Sequence, residues 1–163
     1  MRQRSILGGF VSLALLAVLC ACATTAGGEG AADRLSERER RAILLVLDRQ
    51  AAAWNEGDLE GFMEGYWRSP DLVFTSGGRV QRGWRTTLER YRRSYGDSPE
   101  SMGTLSFGEL EVHGLGEEAA WVLGRWKLER GGEAASGVFT LLFRRIEGEW
   151  RIVHDHTSTG PEE

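Results

Sequence analysis

From Leu105 to Ser158 the sequence reads as four long strand-forming runs, cut by three glycine-bearing turns. The turns are Gly114-Leu115-Gly116, Gly131-Gly132 and Glu147-Gly148-Glu149. Runs of β-branched and aromatic residues joined by such short turns describe an antiparallel meander, one face of which must be covered by something else. In the first run Leu105 and Phe107 keep one phase and Leu110 and Val112 the other, so a bulge at Gly108 is expected to absorb the shift. In the last run strict alternation places Trp150, Ile152, His154 and His156 on one face and Arg151, Val153, Asp155 and Thr157 on the other.

The first half supplies the cover. Ser36 and Glu39 form a capping box, and Ile43, Leu47, Ala51 and Trp54 then fall on one helical stripe until Asn55-Glu56-Gly57 stops it. Asp58 caps a second helix with Leu59, Phe62, Met63 and Tyr66 on one side, ended at Ser69-Pro70. Leu72 to Thr75 and Arg79 to Gln81 form a small hairpin around Gly77-Gly78. A third helix, Trp84 to Tyr95, buries Trp84, Leu88, Tyr91 and Tyr95, leaving Arg85, Arg90, Arg92 and Arg93 as a solvated face, and 96–99 is a loop. The expected class is α+β, a cone-shaped roll of three N-terminal helices packed on a curved, mostly antiparallel sheet. A lipocalin-type barrel would need strands where this half reads helical.

Residues 36–158 make one domain, which the 163-residue length allows without room for a second. Residues 1–21 read as a lipoprotein signal peptide: Arg2 and Arg4, an apolar run from Ile6 to Leu19, and Cys22 preceded by the aliphatic and small residues that lipidation requires. A tether over 22–35 and a short tail, 159–163, complete the chain, and the protein is expected on the bacterial cell envelope, extracytoplasmic or periplasmic and anchored to the membrane through Cys22. No cysteine then remains for a disulfide. With 20 basic against 24 acidic residues the chain lacks the charge that nucleic acid demands, so no nucleic acid is expected.

The order helix, short helix, hairpin, helix and meander, with Trp54-Asn55-Glu56-Gly57-Asp58, Val80-Gln81-Arg82-Gly83-Trp84, the segment His113 to Ala120 and the segment Gly148 to Ser158, resembles the nuclear transport factor 2-like superfamily. That superfamily includes SnoaL-like and ketosteroid isomerase-like proteins. The segments are similar to its bacterial branch related to the association domain of calcium/calmodulin-dependent protein kinase II. The resemblance implies a conical pocket, a homodimer formed through the open sheet, and no cofactor. Pocket arginines of the association domain fall here on Trp126, Leu141 and Thr157, which implies that Thr157, Val153 and Asp155 face the cavity and that the cavity is apolar and aromatic.

Asp155 is the candidate catalytic residue, because a carboxylate in an apolar cone gains proton affinity and can act as general acid or base, with Tyr66 or Tyr91 as donor. The expected ligand-binding residues are Trp54, Tyr66, Trp67, Phe74, Trp84, Tyr91, Trp126, Phe139, Leu141 and Thr157, with Trp67 and Trp84 at the mouth. Their chemistry suits a small apolar or aromatic ligand. His154 and His156 are spaced to converge on a metal, with His113 as a third ligand, but the resemblance gives them structural or subunit-contact roles, and no metal is expected. Two functions stay open: a binding or interaction domain, and a cofactor-independent enzyme, isomerase, dehydratase or hydrolase-like, using Asp155.

Overall fold

The computed structural model describes residues 35–160. The signal segment, Cys22 and most of the tether lie outside them. Helix α1 spans Glu37–Asn55 behind Ser36, whose side chain accepts from the Glu39 N–H while Glu39 bonds back. Asp58 caps α2, Leu59–Met63. The hairpin is β1, Val73–Ser76, and β2, Arg79–Arg82. Helix α3 covers Trp84–Tyr95, a short α4 follows at Pro99–Met102, and the meander is β3, Thr104–Gly114, β4, Ala119–Arg130, β5, Glu133–Ile146, and β6, Glu149–Thr159.

The six strands form one mixed sheet in the order β2-β1-β6-β5-β4-β3. All neighbouring pairs are antiparallel except β1 with β6, which is parallel. The helices cover one face. Between the two layers lie Ile43, Leu47, Trp54, Phe62, Met63, Leu88, Val122, Phe143 and Ile152, and Leu35, placed in the tether by the sequence, joins this core.

Several expectations change. The loop after α3 contains α4, started by the Ser98 and Ser101 capping box with Pro99 at its first turn. The second helix stops at Met63, because the chain turns to pair Tyr66 with Ile152 of β6 in a parallel bridge. The inner residue of α1 is Gln50 and not Ala51. The bulge in β3 lies where the phase shift put it, between Gly108 and Glu111, with Glu109 at φ 50°.

A second bulge interrupts the last strand. In β6, His154 pairs with Leu142 and Ile152 with Phe143, which leaves Val153 as an extra residue. The strand's phase flips there. Trp150 and Ile152, on the N-terminal side, and Asp155, on the C-terminal side, are therefore all buried on the helix-covered face. Alternation sets Trp150 and Ile152 opposite Asp155 and Val153 on its face, and the resemblance implies that this face, Val153 included, looks into the cavity. Both assignments fail for this one reason.

Candidate functional site

The helices and the inner face of the sheet enclose a cavity of about 130 Å³. Strand pairing sets its floor: Phe74 lies beside Asp155 and Ser76 beside Thr157 across β1 and β6, and Asp155 faces Leu141 and Thr157 faces Phe139 across β6 and β5. Gly124 of β4 sits opposite Phe139, and a Cβ there would lie 2.5 Å from the Phe139 ring and 2.6 Å from Leu110. Its missing side chain is what lets Phe139 lie down over the sheet.

The wall is aromatic. The Trp54 ring meets Phe62, Tyr91 and Tyr95 edge-on at centroid distances of 5.0, 5.9 and 4.9 Å, and Tyr91 stands edge-on to Phe74 at 5.7 Å. Such contacts fix ring orientation as well as burying area. The indole N–H groups are spent on backbone carbonyls, Trp54 on Met102 at 3.1 Å and Trp126 on Ser158 at 3.1 Å. The Trp126 bond needs Gly137, where any Cβ would meet the Ser158 carbonyl at 1.9 Å.

Asp155 lies in this apolar setting, 3% exposed. Each carboxylate oxygen accepts one hydroxyl: Tyr66 Oη donates to Oδ2 at 2.7 Å and Thr157 Oγ1 to Oδ1 at 2.6 Å. Burial drives its pKa up from 3.8; the bonds from Thr157 and Tyr66, and the charges of His156 and Arg90, pull it part of the way back, to about 6. The Tyr66 hydroxyl is pushed well above its usual range by burial, then by the neighbouring Asp155 and Tyr91. Tyr91 shifts the same way, chiefly through burial and Asp155. Both phenols therefore stay protonated beside a carboxyl that can take or give a proton near neutrality. A carboxyl in that state is chemically suited to proton transfer, with the Tyr66 hydroxyl proton spent on its Oδ2.

Of the expected residues, Trp54, Tyr66, Phe74, Tyr91, Trp126, Phe139, Leu141, Asp155 and Thr157 all line this one cavity. Trp67 and Trp84 do not. Trp84 is buried under α2, its indole N–H donating to the Met63 carbonyl at 2.8 Å and its ring covered by the Arg68 guanidinium at 4.4 Å. Trp67 contributes its backbone N–H to the Ile152 carbonyl at 2.9 Å.

His154 and His156 belong to the outer face of β6. Burial, then His156, keeps the His154 pKa below its usual value. His113 lies two strands beyond β5, stacked on Trp121 at 4.2 Å. Among the described residues no group of three or more His, Cys, Asp or Glu side chains is placed to hold a metal.

The cavity also holds residues that sequence reasoning missed, notably Gln50 and Arg90. Gln50 is 2% exposed and donates to the Phe62 carbonyl at 2.9 Å; a polar residue on the apolar stripe of α1 was its available signal. Arg90 was assigned to a solvated face, but its guanidinium lies 4.7 Å from the Phe74 ring centroid and it is half-buried.

Comparison with known proteins now adds to this geometry. Residues 43–161 match the model of the SnoaL-like domain. Among solved structures, a nuclear transport factor 2-like protein of unknown function from Shewanella oneidensis MR-1 is 42% identical, with 73% of this chain and 98% of that chain covered and a TM-score of 0.70. A ketosteroid isomerase-like protein from Erwinia carotovora atroseptica is 20% identical over 76% of this chain and 98% of the other, at a TM-score of 0.61. A putative calcium/calmodulin-dependent protein kinase II association domain from Xanthomonas campestris is 19% identical over 79% and 91%, at 0.59. These last two share the fold. No curated protein matches the chain.

Proposed function

The chain belongs to the SnoaL-like domain family, and on that premise we propose that it binds a small apolar or aromatic molecule in the cavity above Asp155. The observation that carries this is the aromatic-lined space of about 130 Å³ with a buried carboxyl at its floor. A cavity of about 150 Å³ suffices for a benzene-sized body. Two hydroxyl donors on a carboxylate inside such a cavity also support proton-transfer chemistry, and the Asp155 pKa of about 6 favours it specifically. Asp155 is then the general acid or base of a cofactor-independent isomerase, dehydratase or hydrolase-like enzyme.

Asp155→Asn separates the two roles. The purified full chain and the variant are compared by mass spectrometry of co-purifying small molecules, and the compound recovered is then used for binding and turnover. Binding kept with turnover lost identifies an enzyme. Binding kept with no turnover in either protein identifies a binding domain. A pocket from which nothing co-purifies and which takes up no aromatic probe refutes both.

Two further proposals concern place and assembly. Cys22 is the proposed lipid attachment site on the cell envelope; Cys22→Ser should release the protein, and continued membrane fractionation would refute lipidation there. A second copy is proposed to cover the outer face of the sheet, where Val138 and Leu142 remain exposed at 40% and 37%. Sedimentation equilibrium giving a monomer mass would sink that proposal.

A further inference from the structure

A second hollow, of about 320 Å³, adjoins the cavity and is polar where the cavity is apolar. Phe74, Ser76 and Arg90 line both, so the two spaces border one another. The hollow adds Arg79, Arg93 and Ser94. Arg90 and Arg93 are three apart on α3 and so share a face. Arg79 opens β2, and β2 is tied to α3 by Gln81, whose amide donates to the Thr86 carbonyl at 2.8 Å. Three arginines from two elements thus line one concavity.

Among the described residues none of the three is ion-paired with a carboxylate, whereas Arg40, Arg92, Arg125, Arg145 and Arg151 all are. Like charges gathered without a paired carboxylate repel one another, the buried Asp155 acting only on Arg90 and without a direct ion pair, and a bound anion relieves that repulsion while its oxygens accept in the planar donor geometry of the guanidinium. Arg90 is additionally fixed at the border of the two spaces by its stack on Phe74.

We infer that the ligand is a small molecule with one ring-sized apolar end and one anionic end, the ring lying among Trp54, Tyr91 and Phe139 and the anion resting on Arg79, Arg90 and Arg93. This rests on the cavity being the binding site, and adds the charge and the direction of entry. A membrane surface of acidic headgroups would also attract arginines. A concave hollow that shares Phe74, Ser76 and Arg90 with an aromatic cavity favours a single molecule occupying both.

The test uses the purified full chain with 3-phenylpropanoate and its neutral amide, 3-phenylpropanamide, followed by tryptophan fluorescence and calorimetry. The acid should bind about tenfold tighter than the amide at low salt, and in Arg79→Gln/Arg93→Gln or in about 0.5 M NaCl most of that preference should vanish while amide binding is unchanged. Circular dichroism and the melting temperature of the double variant confirm that it is folded; both arginines are exposed. Equal affinity for acid and amide overturns the anionic end and leaves the cavity standing as a binding site. A preference for the acid that survives in the double variant also overturns it. If neither probe binds the folded chain, the cavity proposal falls and this one with it. Preference for phosphatidylglycerol over phosphatidylcholine vesicles, lost in the double variant and without any acid preference, overturns it in favour of a membrane role for the same arginines.

Discussion

Replacing Asp155 by asparagine should stabilise the protein at neutral pH. A carboxyl whose pKa moves from 3.8 to about 6 on folding weakens the folded state by about 3 kcal/mol once it is ionised, at about 1.36 kcal/mol per unit. The sign follows from which state loses its proton first. Between 3.8 and about 6 the unfolded chain has released the Asp155 proton and the folded protein still holds it, so stability falls as pH rises through that window. It is fully retained below 3.8 and fully lost above about 6. An asparagine of the same shape has no such dependence, and its amide can still accept from Tyr66 on one side and donate to the Thr157 oxygen on the other.

Urea unfolding followed by tryptophan fluorescence, at pH values from about 3.5 to 8, supplies the comparison. The stability difference between Asp155→Asn and the parent should be flat at the acid end, grow in favour of the variant by about 3 kcal/mol through the window, and level off again. Subtracting the variant removes the contribution of other titrating groups. A difference that stays flat from pH 4 to 8 refutes the reasoning. So does a parent that gains stability relative to the variant as pH rises, since that would mean the hydroxyl bonds outweigh desolvation.

Two further substitutions probe the same site. Tyr66→Phe removes a donor to the carboxylate, so the Asp155 titration followed by carbon NMR should move above about 6, and stability at pH 8 should drop by about 1–2 kcal/mol; a lower midpoint contradicts the assignment. Gly124→Ala puts a methyl 2.5 Å from the Phe139 ring, which should lower stability by about 1–3 kcal/mol and weaken binding of aromatic probes by tipping that ring into the cavity; unchanged binding would show that Phe139 does not shape it.

Much of the architecture was legible because the signals are local. The Ser36 and Glu39 capping box, the glycine turns and the phase change around Gly108 each act within a few residues, and each lies where it was expected. What failed depended on distant neighbours. The second helix ends at Met63 because Tyr66 is claimed by Ile152, 86 positions on, and no periodicity in residues 59–66 reports that. The Val153 bulge leaves no glycine or proline mark in the sequence, so alternation misplaced Trp150, Ile152 and Val153. Asp155 and Thr157 reach the cavity because both lie beyond the bulge, so alternation carries from Thr157, the position the resemblance implied, to Asp155 and fails at Val153. Arg90 was misread because a helical wheel shows only a helix's own stripe, while the Phe74 ring that draws the guanidinium inward belongs to the hairpin.

The strand order carries a consequence in time. β6 is the last of the described strands in chain order, yet it occupies the middle of the sheet, with β1 on one flank and β5 on the other. Without it the two-stranded hairpin and the three-stranded meander share no strand pairing, and only side-chain bonds such as those of Asn55 with Leu105 tie the helices to the meander. Asp155 must then meet Tyr66 across 89 positions of sequence, so the site cannot exist in any partially synthesised molecule. Docking so many distant contacts when β6 inserts makes slow, cooperative maturation the expected behaviour.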